Sequence, residues 1–343
     1  MYGVFKAMGD LLSAAAVVRK QLDLGYRVHL LVFPGQALKS FISLLDFGEH
    51  RDKLSVHDVP SAGELFSFLK EMRAIKPKGV WISPHAPVEA ASTKIPWLLR
   101  VIRTLFWRGA VIAGADTEPG NRFFDVRVAV DRNLCLADRE WTGFRLWRRE
   151  GMEEETGRPR FLPEIMDLRE EAPRYDLLIH PGANAKNRSW PVDHFVETVK
   201  LLPDVGRVAV LGLAQEIEAL RDKIPAERNV EFISGDLKSA LMTIARARVL
   251  LSMDSGNVHF AKVLRVPTIA IFGKSDPANI VGSDDIVTPI YERKFDCQPC
   301  GLRECSQPEV YCMNTVMPAT VATAIRRALQ TTSPLVQIAS SHT

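Results

Sequence analysis

The chain lacks any apolar run approaching the ~18 residues that a membrane-spanning helix requires. Its start, MYGVFKAMGD, has no basic stretch leading into an apolar one, so neither a bilayer span nor a secretory leader is expected. A cytoplasmic location follows. Charge of one sign is also missing: 44 Lys and Arg against 41 Asp and Glu leave a net +3, too little to indicate nucleic acid. Neither half carries G-x-G-x-x-G after its first strand, which argues against a nicotinamide-dependent oxidoreductase. Cysteine is scarce, five residues in 343, yet Cys297, Cys300, Cys305 and Cys312 are crowded near the end. In a reducing compartment such crowding reads as a metal clip or as thiols rather than a disulfide framework. What is present is a globular composition, 46% hydrophobic and 25% charged, and a length suited to two domains of ordinary size.

Periodicity gives an α/β chain. Short apolar runs alternate with helical stretches: VFKA, DLLSAAAVVRKQLDLG, VHLLVF, QALKSFISLLDF, LSVHDV, AGELFSFLKEMRAI, KGVWIS, IPWLLRVIRTLFW and AVIAGA. This rhythm predicts a parallel sheet of five strands wrapped by helices. After GMEEETGRPRF and LREEAPR it restarts with YDLLIH, PVDHFVETVKLL, RVAVLG, QEIEALRDKI, VEFIS, LKSALMTIARA, RVLLSM, NVHFAKVL and VPTIAIFG, a second set of five strands. The expected domains are 1–165 and 166–330, followed after the helix PATVATAIRRALQ by a flexible tail, 331–343. Two such domains are expected to face a cleft, with ligands beyond the carboxyl ends of the strands, so the strand-to-helix loops are where chemistry is sought.

Four loops carry candidates. Gly9-Asp10 opens the first helix, where Asp10 reads either as a capping carboxylate or as a general base. His180 to Pro191 is a long polar loop with an exposed-type glycine, Gly182, and two cations, Lys186 and Arg188. It suits an anion, or it is a solvated loop whose Trp190 staples the helix. Asp254-Ser255-Gly256 opens another helix, offering backbone N–H groups at a positive helix end to a phosphate, or merely capping it; His259 follows one turn on. The loop from Gly212 leads to Glu216, which could hold ribose hydroxyls or serve the helix dipole.

Taken together, HPGANAKNRSWPVDHFVETVKLL, the LG-x-x-x-E loop and ISGDLKSALMTIARARVLLSMDSGNVHFAKVLRVPTIAIFGKSDP, in that order, resemble glycosyltransferase family 9, the ADP-heptose:lipopolysaccharide heptosyltransferases and their relatives. The resemblance covers most of 175–330, and in the first half rests chiefly on FKAMGDLLSAAAVVRKQL. It implies a GT-B fold, with two Rossmann-like domains, an acceptor site in the first and a nucleotide-sugar site in the second. It also implies inverting transfer with no cofactor required for catalysis. Asp10 would be the base that deprotonates the acceptor hydroxyl. Gly182, Lys186, Arg188, Glu216, Asp254, Ser255, Gly256 and His259 would bind the donor. Arg188 stands where the family usually has Lys, and Asn257 where many members have Pro. The implied donor is a nucleotide sugar, ADP-heptose foremost, and the acceptor a saccharide or glycolipid of the cell envelope such as the lipopolysaccharide core. The alternatives are a relative using another nucleotide sugar, or a nucleotide-sugar-binding module without transfer activity.

Two features remain. Cys297-Gln298-Pro299-Cys300, Cys305 and Cys312 resemble a cysteine segment in many members, some of which hold a metal there. The set suits tetrahedral zinc or iron in a structural role, or free or partly disulfide-bonded thiols. The helix at 95–108 places Arg100, Arg103 and Arg108 among aromatic and aliphatic residues. It reads as a peripheral contact with anionic lipid at the inner membrane, or as a core helix with a basic outer face.

Overall fold

The computed structural model describes residues 2–5, 8–32, 38–75, 77–82, 91–116, 121–131, 134–148, 164–165, 173–183, 185–282, 286–300, 302, 304–307 and 311–332. The expected tail lies almost wholly outside these. The chain divides into two compact units, Met1–Met166 and Asp167–Thr343.

In the first unit, β1 (Tyr2–Phe5), α1 (Met8–Asp23), β2 (Val28–Val32), α2 (Leu38–Leu44), β3 (Leu45–Asp46), β4 (Leu54–Asp58), α3 (Leu65–Ala74) and β5 (Gly79–Ile82) come first. They are followed by α4 (Ala91–Phe106), β6 (Val111–Ala115), β7 (Val126–Val128), α5 (Leu136–Arg148) and β8 (Glu164–Ile165). Six strands form a parallel sheet in the order β4-β2-β1-β5-β6-β7, while β3 and β8 pair antiparallel. Because helices cover a parallel sheet on both faces, its central strands are mostly apolar: Leu30, Leu31, Val32, Val80, Trp81 and Ile82 are all buried. The Ala14–Val18 run of α1 is buried as well, and that helix packs on α5.

The second unit repeats the scheme with β9 (Tyr175–His180), α6 (Val192–Lys200), β10 (Val208–Leu211), α7 (Ala214–Arg221), β11 (Glu231–Ile233), α8 (Leu237–Ala245) and β12 (Ala247–Met253). Then come α9 (Gly256–Val263), β13 (Thr268–Phe272), α10 (Pro277–Ile280), β14 (Val287–Tyr291), α11 (Tyr311–Asn314) and α12 (Pro318–Thr331). Its parallel sheet runs β11-β10-β9-β12-β13-β14. In each sheet the chain winds outward one way from its opening strand and then outward the other way, the doubly wound order. The direction reverses between β1 and β5 in one unit, and between β9 and β12 in the other.

Each sheet has six strands, one more than the rhythm predicts. The additions, β7 and β14, are edge strands: β7 is short and half exposed, and β14 contains Pro289, which an edge tolerates because one side of its backbone needs no partner. Helix α4 buries Leu99 and Ile102, and two of its arginines are engaged within the unit. Arg100 and Arg103 meet Asp125 at 3.2 and 3.1 Å, and they also donate to the Phe123 and Ala110 carbonyls. Its outer face still exposes Trp97 and Leu105.

Candidate functional site

Asp10 is the third residue of α1, half-buried in the first turn, so it lies inside the helix rather than at its cap. It follows β1, the central opening strand, at the side where the sheet reverses direction. A carboxylate there is favoured by the positive helix end.

In the second unit the candidates converge on the carboxyl ends of β9, β10, β12 and β13. The loop after β9 tightens into a single 3-10 turn, Lys186–Arg188, before Pro191 leads into α6. Lys186 remains exposed, whereas Arg188 turns toward the loop after β12. Its Nη1 donates to the Asp254 carbonyl at 3.5 Å, and its Nε lies 3.4 Å from Asp254 Oδ2. Trp190 serves packing: it is buried edge-on against Phe195 and donates to the Val316 carbonyl.

Asp254 is buried, and its own N–H is tied to the Ile271 carbonyl, which fixes the turn into α9. Ser255 caps α9 in an extended conformation with no side-chain capping bond; its hydroxyl lies 3.3 Å from that of Ser252. Gly256, the first residue of α9, would have nothing within 4 Å of a β-carbon, so the first amides of this helix are open to a close approach. Behind them Asn257 Nδ2 meets His180 Nε2 at 2.9 Å, and burial pushes His180 down to about 4. His259, in the same first turn, is also pushed down to about 4, by burial and then by Lys262. Both imidazoles are therefore neutral at pH 7 and add no charge to the site.

Glu216 reaches back from α7 between two loops. Its Oε2 accepts from the Leu213 N–H at 2.9 Å, and β-carbons placed on Gly182 and Gly212 would lie 2.5 and 2.9 Å from its carboxylate. Gly182 is thus needed for the room it leaves, and the carboxylate is brought beside the loop that bears Arg188.

Two features went unread in the sequence. Lys274, in the Gly-Lys-Ser-Asp loop after β13, is buried, and its Nζ donates to the Leu302 carbonyl at 2.5 Å. Burial, then Arg188, pushes it below the ordinary lysine range, while Cys300 and Asp254 act the other way. Asn187, also buried, donates to the same Leu302 carbonyl at 2.9 Å. The available signal was position, since Lys274 stands on the same kind of strand-to-helix loop as Arg188 and Asp254. Among the described residues Asn187 Oδ1, Arg188 Nε and Asp254 Oδ2 are buried without a hydrogen-bond partner. The last two face each other as the 3.4 Å ion pair, so the pair is held by charge without a hydrogen bond and Asn187 Oδ1 is left with neither.

The four clustered cysteines grade from exposed Cys297 through half-buried Cys300 and Cys305 to buried Cys312. Burial pushes the Cys312 thiol up, with Cys305, Cys300 and Cys297 adding to the effect. Four thiols are a suitable donor set for iron or zinc, but among the described residues no three His, Cys, Asp or Glu side chains are placed to share a metal ion. As arranged, the set does not form a ligand sphere. No helix among the described residues is long and apolar enough to cross a membrane.

Comparison with known proteins gives a family match. The model of glycosyltransferase family 9 (heptosyltransferase) matches residues 125–311. The lipopolysaccharide heptosyltransferase 2 of Salmonella typhimurium is 24% identical over 239 residues, spanning 64% of this chain and 67% of that one. The structure of Escherichia coli ADP-heptose lipopolysaccharide heptosyltransferase II superposes with a TM-score of 0.68 at 15% identity, covering 96% of this chain and 98% of that one. TibC of enterotoxigenic E. coli, an iron-containing dodecameric heptosyltransferase solved with ADP-D-beta-D-heptose, gives a TM-score of 0.57 at 15% identity, covering 97% and 76%.

Proposed function

The chain belongs to glycosyltransferase family 9 and has its GT-B fold, and from that premise we propose that it transfers heptose from ADP-heptose to a hydroxyl of a lipopolysaccharide-core saccharide, with inversion at the anomeric carbon. The observation that carries the donor half is the gathering of Arg188, Asp254, the open amides of α9 and the Gly182-flanked Glu216 at the reversal point of the second sheet. A nucleoside diphosphate has the matching chemistry: anionic oxygens for the guanidinium and helix amides, ribose hydroxyls for Glu216. Asp254 pairs with Arg188, which suits it to brace the loop and meet sugar hydroxyls rather than phosphate. Ser255 and Gly256 present amides, His259 stands one turn behind, and Lys186 is an outer cation.

In the reaction, Asp10 takes the proton of the acceptor hydroxyl as its oxygen attacks the anomeric carbon. The bond to the diphosphate breaks on the opposite face, which inverts configuration. Negative charge grows on the departing diphosphate, and fixed positive groups in a partly buried site stabilise it more there than in the ground state. A glycolipid acceptor would be met at the membrane surface, where the exposed Trp97 and Leu105 of α4 are the contact we assign to it.

The test has two arms. A thermal-shift panel of ADP-, UDP-, GDP- and dTDP-sugars should single out the ADP-sugar, since a ligand at ~100 times its dissociation constant adds ~2.7 kcal/mol. No shift with any of them overturns the donor reading. Asp10→Asn should lower transfer by about 10²–10⁴-fold while leaving the ADP-sugar shift intact. Undiminished turnover removes the base.

A further inference from the structure

We propose that Lys274 is a second diphosphate-binding cation, acting with Arg188 on the donor's leaving group from a different strand of the same sheet. The inference rests on the donor reading above and extends it to Lys274, to which the resemblance assigned no role.

The geometry begins with one carbonyl. Leu302 C=O accepts from Lys274 Nζ at 2.5 Å and from Asn187 Nδ2 at 2.9 Å, so the ammonium is held two hydrogen bonds from the residue that precedes Arg188. Arg188 in turn reaches Asp254. Three loops, after β9, β12 and β13, are thereby drawn to one point. Lysine is almost never fully buried unless paired. Lys274 is buried nonetheless, and among the described residues it forms no ion pair with a carboxylate. Asp254, the acidic neighbour, is engaged by Arg188. The gathering therefore holds two cations against one carboxylate, and desolvation makes that excess costly unless an anion completes it.

An ammonium has three donors, and the Leu302 bond uses one. The remaining two can serve the oxygens of a diphosphate, whose charge would also offset the burial and the Arg188 repulsion that together depress the lysine. Such a cation serves the leaving group more than the bound donor, because charge on the diphosphate rises as the glycosidic bond breaks. The opposing possibility is that Lys274 only pins the cysteine segment, since Cys300 N–H donates to its carbonyl and Gln298 Nε2 to that of Gly273.

Inorganic pyrophosphate and ADP, titrated into the full chain by calorimetry, separate the two. Lys274→Met should weaken both ligands by about 10-fold or more, as expected for one lost charge-assisted contact, while Lys274→Arg recovers most of the affinity. Wild-type affinity in a folded Lys274→Met variant overturns the proposal. If that variant does not fold, ¹³Cε-lysine NMR of the wild type replaces it, with Lys274→Arg to assign the resonance. The Lys274 titration should move to higher pH when pyrophosphate is added, and an unmoved titration overturns the proposal. A wild-type protein that binds neither pyrophosphate nor any nucleoside diphosphate fails one stage earlier, and the donor reading falls with it.

Discussion

At Gly182 a β-carbon would lie 2.5 Å from Glu216 Oε1, and the carboxylate is held on its other side by the Leu213 N–H and Gly212. The expected consequence of Gly182→Ala is therefore local: the Glu216 carboxylate is pushed from its seat, and the nucleoside half of the donor loses its partner. ADP affinity should fall about 10-fold with pyrophosphate affinity nearly unchanged, and the melting temperature should move little because the displaced atoms are the end of a flexible side chain. Equal losses for both ligands in a calorimetric titration would place Glu216 elsewhere in the site. Arg188 and Asp254 stood out as candidates because both lie on strand-to-helix loops within the segments that resemble the family, and the structure brings their side chains together. Lys274 did not stand out, because a lysine in a Gly-Lys-Ser-Asp turn looks like any solvated cation. Its burial is decided by residues 28 positions away at Leu302, which no local pattern reports.

The segment from Glu292 to Cys300 forms no helix or strand, yet it is docked by one side chain. Gln298 is buried and fully used: Nε2 donates to the Gly273 and Glu292 carbonyls at 2.8 and 3.1 Å, and Oε1 accepts from the Lys294 and Phe295 N–H groups at 3.0 and 3.1 Å. Gln298→Ala strands four backbone groups, each costing about 1–3 kcal/mol if left dry and less where water enters. The second unit should lose about 2–4 kcal/mol in urea unfolding, and pyrophosphate binding should weaken with it, since Gly273 adjoins Lys274. A stability change without any change in binding would show the segment to be independent of the site. Regular elements were far more legible than this segment. The long amphipathic helices and central strands follow from periodicity alone, because their burial repeats at 3.6 or runs unbroken. The edge strands β7 and β14 escaped notice because an edge is half solvated, so Arg127 and Pro289 interrupt the apolar run that identifies a central strand. The two-residue pair β3 and β8 has no sequence signal at all, its partners lying more than a hundred residues apart.

Across the whole molecule, the two units share one winding but differ, among the described residues, in how many histidines burial pushes down, one against two, and acid should reveal the difference. In the first unit burial, the adjacent His57, the amino terminus and Arg27 together push His29 down to about 4, with Glu71 opposing. In the second, His180 and His259 are both pushed down to about 4. Each imidazole takes its proton near 6.5 in the unfolded chain but only near 4 in the folded one, so between those values the unfolded state binds more protons. Stability is therefore full above about 6.5 and declines as the pH falls toward 4, by at most about 1.4 kcal/mol per pH unit for each histidine. Carboxylates act in a lower window. Asp176 is raised by burial but lowered more by Arg248 and the Arg207 N–H, so its contribution is lost only below the ordinary aspartate range. Scanning calorimetry from pH 7 to 5 should thus lower the second unit's transition about twice as steeply as the first unit's. His180→Gln, which keeps a polar partner for Asn257 but cannot be protonated, should roughly halve the second unit's slope. Parallel slopes for the two units, or a slope untouched by that substitution, would mean that these imidazoles are already protonated in the folded chain.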